Sequence, residues 1–431
     1  MTRRKHFKQL VRERMRKTGE SYATARRHVI GGPAPSAAPD LHMPGNVPGS
    51  TALRVLLGAA GVGPLSEAMV FGIAGGIGAG VFAFHYEKED FSSFFVAGRH
   101  LWQDDLAYVS KAAPRLGATL AVRETAGRAA AERHLVEALS GGRPAMAWLD
   151  MAHLPYRAMP ASWSGGGYHV VVVYGVDEAS GAARVGDLAD APFTVEREAL
   201  AEARGRIKAQ KHRLVTLERT GALDLEGAVW AGLGSCVDGL VRQRQANFTV
   251  EAFRTWGERL HGAAGREAWE RVFPPGRRLW RGLTSIYDFV EHYGTGGGLT
   301  RPLFAEFLSE AAGVVSDPGL AALAGRYGEI GRGWSALAEA ALPDAVPALA
   351  EAKALLARKA ELFASGGTPE EISAAWSRLD ALSEEAGREF PLSDAEAGEL
   401  RAGLAARVLD LYAAEVAALD ELRAAVEGRA R

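Results

Sequence analysis

The stretch Gly165-Gly166-Gly167-Tyr168-His169-Val170-Val171-Val172-Val173-Tyr174-Gly175-Val176-Asp177-Glu178 leaves this chain few folds to choose from. A run of valines bounded by glycines on one side and an acidic turn on the other reads as a buried central strand. His169 heads that strand, where core meets solvent. After the Ala179-Ser180-Gly181 turn comes a second short run, Ala183-Arg184-Val185-Gly186-Asp187, which predicts a hairpin and sets Asp187 beside His169. A histidine oriented by a carboxylate on the next strand is the base half of a nucleophilic site whose attacking group comes from elsewhere in the chain. The competing reading is a histidine that merely caps a strand.

Length and charge narrow the classes. At 431 residues, 48% hydrophobic and 24% charged, the chain is an ordinary globular sequence of about two or three domains. A net charge of −2 argues against nucleic acid as a general partner. The exception is residues 1–28, where Arg3, Arg4, Lys5, Lys8, Arg12, Arg14, Arg16, Lys17, Arg26 and Arg27 face only Glu13 and Glu20. This arm, 1–30, is expected to be a small basic helical pair, either solvated or docking to an acidic partner, and 31–40 a Pro/Ala/Gly tether. One cysteine, Cys236, rules out an intrachain disulfide and fits a cytoplasmic location. The basic N-terminus runs into an amphipathic pattern rather than a signal-peptide core. The most apolar window, Met69 to Phe84, is too short to span a bilayer comfortably. The histidines are scattered, with no metal-ligand spacing, and no cofactor motif is present.

The first domain is expected over 41–219. Pro48-Gly49-Ser50-Thr51 is a turn and N-cap opening an apolar helix from Ala52; its first turn presents Ser50, and the positive end of a helix is where a nucleophile is activated. The glycine-rich segment Leu65 to Phe82 brings backbone close to a ligand or a neighbouring strand. Then follow a helix 102–116, a strand 118–124, a helix 126–139 and a buried strand 144–150. His153, Tyr156, Arg157 and Trp163 lie in the loop before the valine strand, where they line a cleft or cover the sheet edge. Phe193 to Ala209 reads as a charged helix or linker, and Leu214 to Glu218 as a final edge strand.

The second domain, 220–431, is expected to be all-helical. Cys236 falls in an apolar helix, 229–241, as a buried structural residue. The bare run Gly294-Thr295-Gly296-Gly297-Gly298 opens the helix that begins at Pro302, offering backbone N–H groups to an anion or making a tight helix crossing; His292 and Arg301, which flank it, strengthen the anion reading. The tail reads as helices near 334–341, 345–364, 368–389 and 392–427. The last carries Leu400, Leu404, Val408, Leu411, Tyr412, Val416, Leu419 and Leu422 at 3–4 spacing, a face for a bundle or a homodimer seam.

Several of these motifs, in this order, resemble one family. Gly49-Ser50-Thr51-Ala52-Leu53, the Leu65–Phe82 glycine stretch, Leu154-Pro155-Tyr156-Arg157 and the His169 and Asp187 strands are similar to the N-terminal domain of the butirosin biosynthesis protein H family. Asn247-Phe248-Thr249-Val250, Trp256 and Tyr293 to Phe304 resemble the uncharacterised helical domain that follows in such proteins. The resemblance covers about 41–315. It implies a papain-like α+β domain followed by an all-α domain. It also implies acyl transfer from a carrier-protein thioester to a small amine. Together with the reading of the loops, this makes His169, Asp187 and Ser50 the candidate catalytic residues and Tyr156, Arg157, Trp163, Thr295, Gly296, Gly297 and Arg301 the candidate substrate-binding ones.

One departure outweighs the matches. Family members usually carry a His-Cys pair just before the helix start, and this chain has Val47-Pro48. Ser50, two residues on, is turned by about 200° and moved by about 3 Å along a helix, which makes simple replacement of the thiol doubtful. Three readings follow: a transferase in which His169 deprotonates the incoming amine, a nucleophile-less protein that binds a peptide, carrier protein or small molecule, and a hydrolase using Ser50.

Overall fold

The computed structural model describes residues 41–88, 91–165, 167–177 and 180–429. The basic arm and the tether expected over 1–40 lie outside the described residues.

Helix α1 (Pro48–Ala59) starts on a proline, whose fixed φ suits a first turn. Helix α2 (Glu67–Ile73) is capped by Ser66, whose Oγ accepts the Met69 N–H at 2.9 Å. The glycine-rich stretch then enters a two-stranded antiparallel ribbon, β1 (Ile77–Tyr86) and β2 (Phe91–Arg99). The sequence reading did not foresee this ribbon, because the unbroken apolar run at its start carries no alternation. Here the glycines admit protein rather than a ligand. A Cβ on Gly72 would stand 2.1 Å from the Phe307 ring, and one on Gly80 would stand 2.3 Å from Trp102.

The second sheet comprises β3 (Ala118–Arg123), β4 (Ala145–Asp150), β5 (Tyr168–Asp177), β6 (Ala182–Gly186), β7 (Phe193–Glu196) and β8 (Leu214–Thr220), in the order β3-β8-β4-β5-β6-β7. Every neighbouring pair is antiparallel. The valine strand is central, as expected, with Leu149 opposite His169 and Val185 opposite Val173. Val171 and Val173 enter a core with Leu135, Ala147, Leu149 and Leu200, the cover coming from α4 (Arg128–Ser140) and α5 (Arg197–Arg206). Between the ribbon and this sheet runs α3 (Asp105–Arg115).

Two expectations change. Leu214 to Glu218 is not an edge: β8 lies between β3 and β4, and four successive buried residues, Leu214 to Leu217, mark a strand covered on both faces. Phe193 to Ala209 is not helix or linker throughout. It opens as the edge strand β7, with Val195 turned into the core between exposed Thr194 and Glu196, and only then becomes α5.

Beyond Thr220 the chain is helical: α6 (Leu225–Val241), α7 (Glu251–Leu260), α8 (Trp269–Val272), α9 (Arg277–Glu291), α10 (Arg301–Val315), α11 (Pro318–Ala341), α12 (Pro347–Ser365), α13 (Pro369–Arg388) and α14 (Asp394–Arg429). Sheets in the first part and helices in the second make this an α+β chain. Leu404, Val408, Leu411, Leu419 and Leu422 of α14 are buried, packed within the chain against α7 and α11. No described helix is long and apolar enough to cross a membrane.

Candidate functional site

His169 and Asp187 meet. His169 Nε2 lies 2.8 Å from Asp187 Oδ1, and both side chains are buried. β5 carries the imidazole on the core-facing side, and Asp187 follows directly on β6, so the hairpin itself makes the pair. Asp187 Oδ1 also accepts the Leu188 N–H at 2.8 Å. Oδ2 accepts the Tyr156 hydroxyl at 3.0 Å and Arg157 Nη2 at 2.8 Å. A carboxylate so buried needs these donors. Burial pushes its carboxyl upward, but the Arg157 charge and then His169 overcome that and hold it well below the usual carboxylate range.

This network assigns the tautomer. A carboxylate only accepts, so the bond to Asp187 Oδ1 puts the His169 proton on Nε2. Arg157 Nη2, 2.8 Å from the same nitrogen, then cannot donate to it and serves Asp187 instead. The lone pair stands on Nδ1, which makes no hydrogen bond among the described residues. Tyr156 stays a donor, because burial and then the Asp187 charge raise its hydroxyl well above the ordinary range. Its ring stacks on Phe193 with centroids 3.8 Å apart, and Arg157 covers the Phe363 ring at 4.4 Å. The loop after β4 is thereby fixed between the sheet and α12.

The start of α1 reaches the same region. Pro48, Thr51 and Asp187 all line a narrow crevice with Met43, Val170 and Tyr174. Ser50 does not join His169. Fully buried, its hydroxyl donates toward Val47 O at 3.2 Å and Glu67 Oε1 at 3.3 Å. Glu67 organises that end of the helix, accepting the N–H groups of Asn46 and Val47 and the Thr51 hydroxyl at 2.8 Å.

The glycine loop of the helical part sits against this helix start. A Cβ on Gly294 would come 3.3 Å from the Pro48 ring, and one on Gly296 would come 2.7 Å from Asn46 Cβ. Gly296 and Gly297 have φ of +67° and +85°, a region that favours glycine. Thr295 is buried, its hydroxyl donating to Val290 O at 3.0 Å and accepting the Gly297 N–H at 3.3 Å. Glu291 Oε1 stands 3.5 Å from Gly298 N, so a carboxylate of the chain already faces part of the loop. Tyr293, at the loop entrance, bonds Met151 Sδ at 3.2 Å.

Two expected residues make other contacts. Arg301 is fully buried, with Nε on Glu415 at 2.6 Å, Nη1 on Leu299 O and Gly98 O, and Nη2 on Gly78 O. It joins the glycine loop to the ribbon and to α14, and with four of its five N–H donors held by these groups it is tied into the core rather than offered to an anion. Trp163 is 43% exposed, its ring 5.5 Å from Trp376 of α13.

Asp105 is the residue sequence reading missed. Asp104 caps α3 by accepting the Ala107 N–H, which leaves Asp105 to turn inward and pair with Arg99 at 2.8 Å. Burial raises its carboxyl, with Arg99 and then His169 opposing. A Cβ on Gly49 would touch Asp105 Oδ1 at 3.0 Å, so this carboxylate adjoins the first turn of α1. The acidic doublet before a helix was the available signal.

Residues 48–188 match the family model "Butirosin biosynthesis protein H, N-terminal", and residues 198–362 match a domain of unknown function, DUF4872. No curated protein matches the chain. The chain thus carries the papain-like N-terminal domain of the butirosin biosynthesis protein H family, followed by this separate second domain.

Proposed function

We propose that this protein transfers an acyl or aminoacyl group from a carrier-protein thioester to a small amine in the biosynthesis of a specialised metabolite. The observation that carries the reading is the 2.8 Å contact between His169 Nε2 and Asp187 Oδ1, which leaves Nδ1 with the lone pair of a general base. A thioester is already activated, so no protein thiol has to attack it. His169 takes a proton from the amine as its nitrogen adds to the carbonyl carbon, the C–S bond breaks, and the thiol leaves. General-base help of this kind is worth about 10²–10⁴ in rate. Asp187, held by Tyr156 and Arg157, keeps the imidazole in the required tautomer. Thr295, Gly296 and Gly297 shape the wall beside Pro48, Asp105 supplies a carboxylate near the entering amine, and Trp163 offers an exposed ring on the same loop as Arg157.

A second reading is a catalytically inactive protein that binds a peptide, carrier protein or small molecule. It is favoured by Pro48 at the helix start and by the burial of Ser50. A panel of acyl thioesters and amines, assayed with wild type, His169→Ala and Ser50→Ala, separates the two. A loss of about 10²-fold or more confined to His169→Ala supports base catalysis. Loss in both variants points to a serine nucleophile, and no turnover of any pair supports binding alone.

A further inference from the structure

A second cluster lies between β2, α3 and α6, outside the His169 group. His100 follows β2, and its backbone N–H bonds Gly76 O at 2.9 Å. Its ring is slotted between two glycines: a Cβ on Gly75 would come 2.5 Å from Cδ2, and one on Gly239 would come 2.3 Å from Nδ1. The slot fixes the ring so that Nε2 meets Lys111 Nζ at 3.2 Å. An ammonium has only donors, so the imidazole must accept through Nε2 and stay neutral. Burial and the charge of Lys111 pull the His100 pKa down to about 3, which keeps it so.

The charges around Lys111 do not neutralise it. Arg115, one turn along α3, is pinned to Ile73 O at 2.7 Å and Ser235 Oγ at 2.6 Å, and Arg99 of β2 pairs with Asp105. The acid facing it from α6, Asp238, pairs with Arg242 at 3.2 Å. By contrast, Lys353 lies between Glu339 and Asp344, and Lys359 pairs with Asp288. Among the described residues Lys111 has no carboxylate partner within salt-bridge distance and leans on a neutral base. Burial, and then Arg115, lower its pKa, with Asp238 opposing. It remains partly exposed.

We propose that Lys111 is an acylation site, its amine held by His100 to take an acyl group from a thioester. The ammonium first releases a proton to water. The free amine then attacks the thioester carbonyl carbon, the C–N bond forms as the C–S bond breaks, and the thiolate leaves with the second nitrogen proton. Desolvated lysines beside other cations are the ones that act as nucleophiles at neutral pH. The inference does not rest on His169.

The full chain is incubated with S-acetyl-N-acetylcysteamine at several pH values, and acetylation is read lysine by lysine by peptide mass spectrometry. Lys111 is expected to acetylate about tenfold faster than the exposed Lys208 at neutral pH, and to reach its plateau at lower pH. His100→Phe is expected to remove that advantage. If this variant does not fold, as read by circular dichroism, the wild-type pH profile decides alone. A rate for Lys111 equal to or below that of Lys208 across the whole range overturns the proposal.

Discussion

Glu67 Oε1 accepts the backbone N–H of Val47 at 2.8 Å, tying the start of α2 to the residue just before α1. The same carboxylate takes the Asn46 N–H and the Thr51 hydroxyl, so one buried anion meets the positive end of the helix and the N–H groups just before it. The site that would activate a nucleophile is occupied by the protein's own carboxylate.

Glu67→Gln should therefore destabilise the protein. Several charge-assisted hydrogen bonds weaken at once, at a cost of about 1.5–3 kcal/mol. The urea midpoint should fall with an unchanged m-value. A midpoint equal to wild type would mean that the cap contributes nothing.

Asp187 should govern acid stability. Its folded carboxyl sits below the unfolded value because Arg157 and His169 together outweigh burial. The linked stability is therefore fully present above the unfolded pKa and lost as pH falls through the folded one. Between about pH 4 and pH 2, wild type should lose more unfolding free energy than Asp187→Asn, which has no proton to take up there. Parallel pH profiles for the two proteins would contradict this.

Arg301 and Glu415 form a buried pair with side chains 0% and 1% exposed, and Trp334 Nε1 adds a donor to the same carboxylate at 2.9 Å. Arg301→Met strands Glu415 in the core and should cost about 3–5 kcal/mol, whereas Arg301→Met with Glu415→Leu should recover most of it. A double-mutant cycle by denaturant unfolding measures the coupling. Losses that simply add would show that the two side chains do not act as a pair.

Cys236 should be inert in the native state. Burial first, with Glu415 adding, pushes its thiol up to about 12, and Sγ lies against Ile77 O at 3.7 Å. Ellman's reagent should label it only at the rate of global unfolding. Rapid labelling of folded protein would place the thiol at the surface.

Much of the frame could be read along the chain. The valine run and the turn after it encode β5, β6 and their hairpin, because periodicity and turn chemistry are local. The same locality brings His169 and Asp187 within reach of each other, and the punctuation by Pro343, Gly366 and Pro391 marks helix ends near where α11, α12 and α13 stop. The ribbon and the interior position of β8 were not legible, since a strand does not state which neighbours it will find.

The charged residues divide along the same line. Arg157 beside Asp187 follows from a short loop crossing the hairpin it covers. Arg301, by contrast, took its role from Glu415, 114 positions away, and Ser50 from Glu67 on the next helix. Asp105 turned inward because Asp104 already filled the cap and Arg99 waited beneath. A backbone pattern is written in adjacent residues, whereas a buried charge must be answered by whichever opposite group packing brings beside it. That choice belongs to the folded molecule alone.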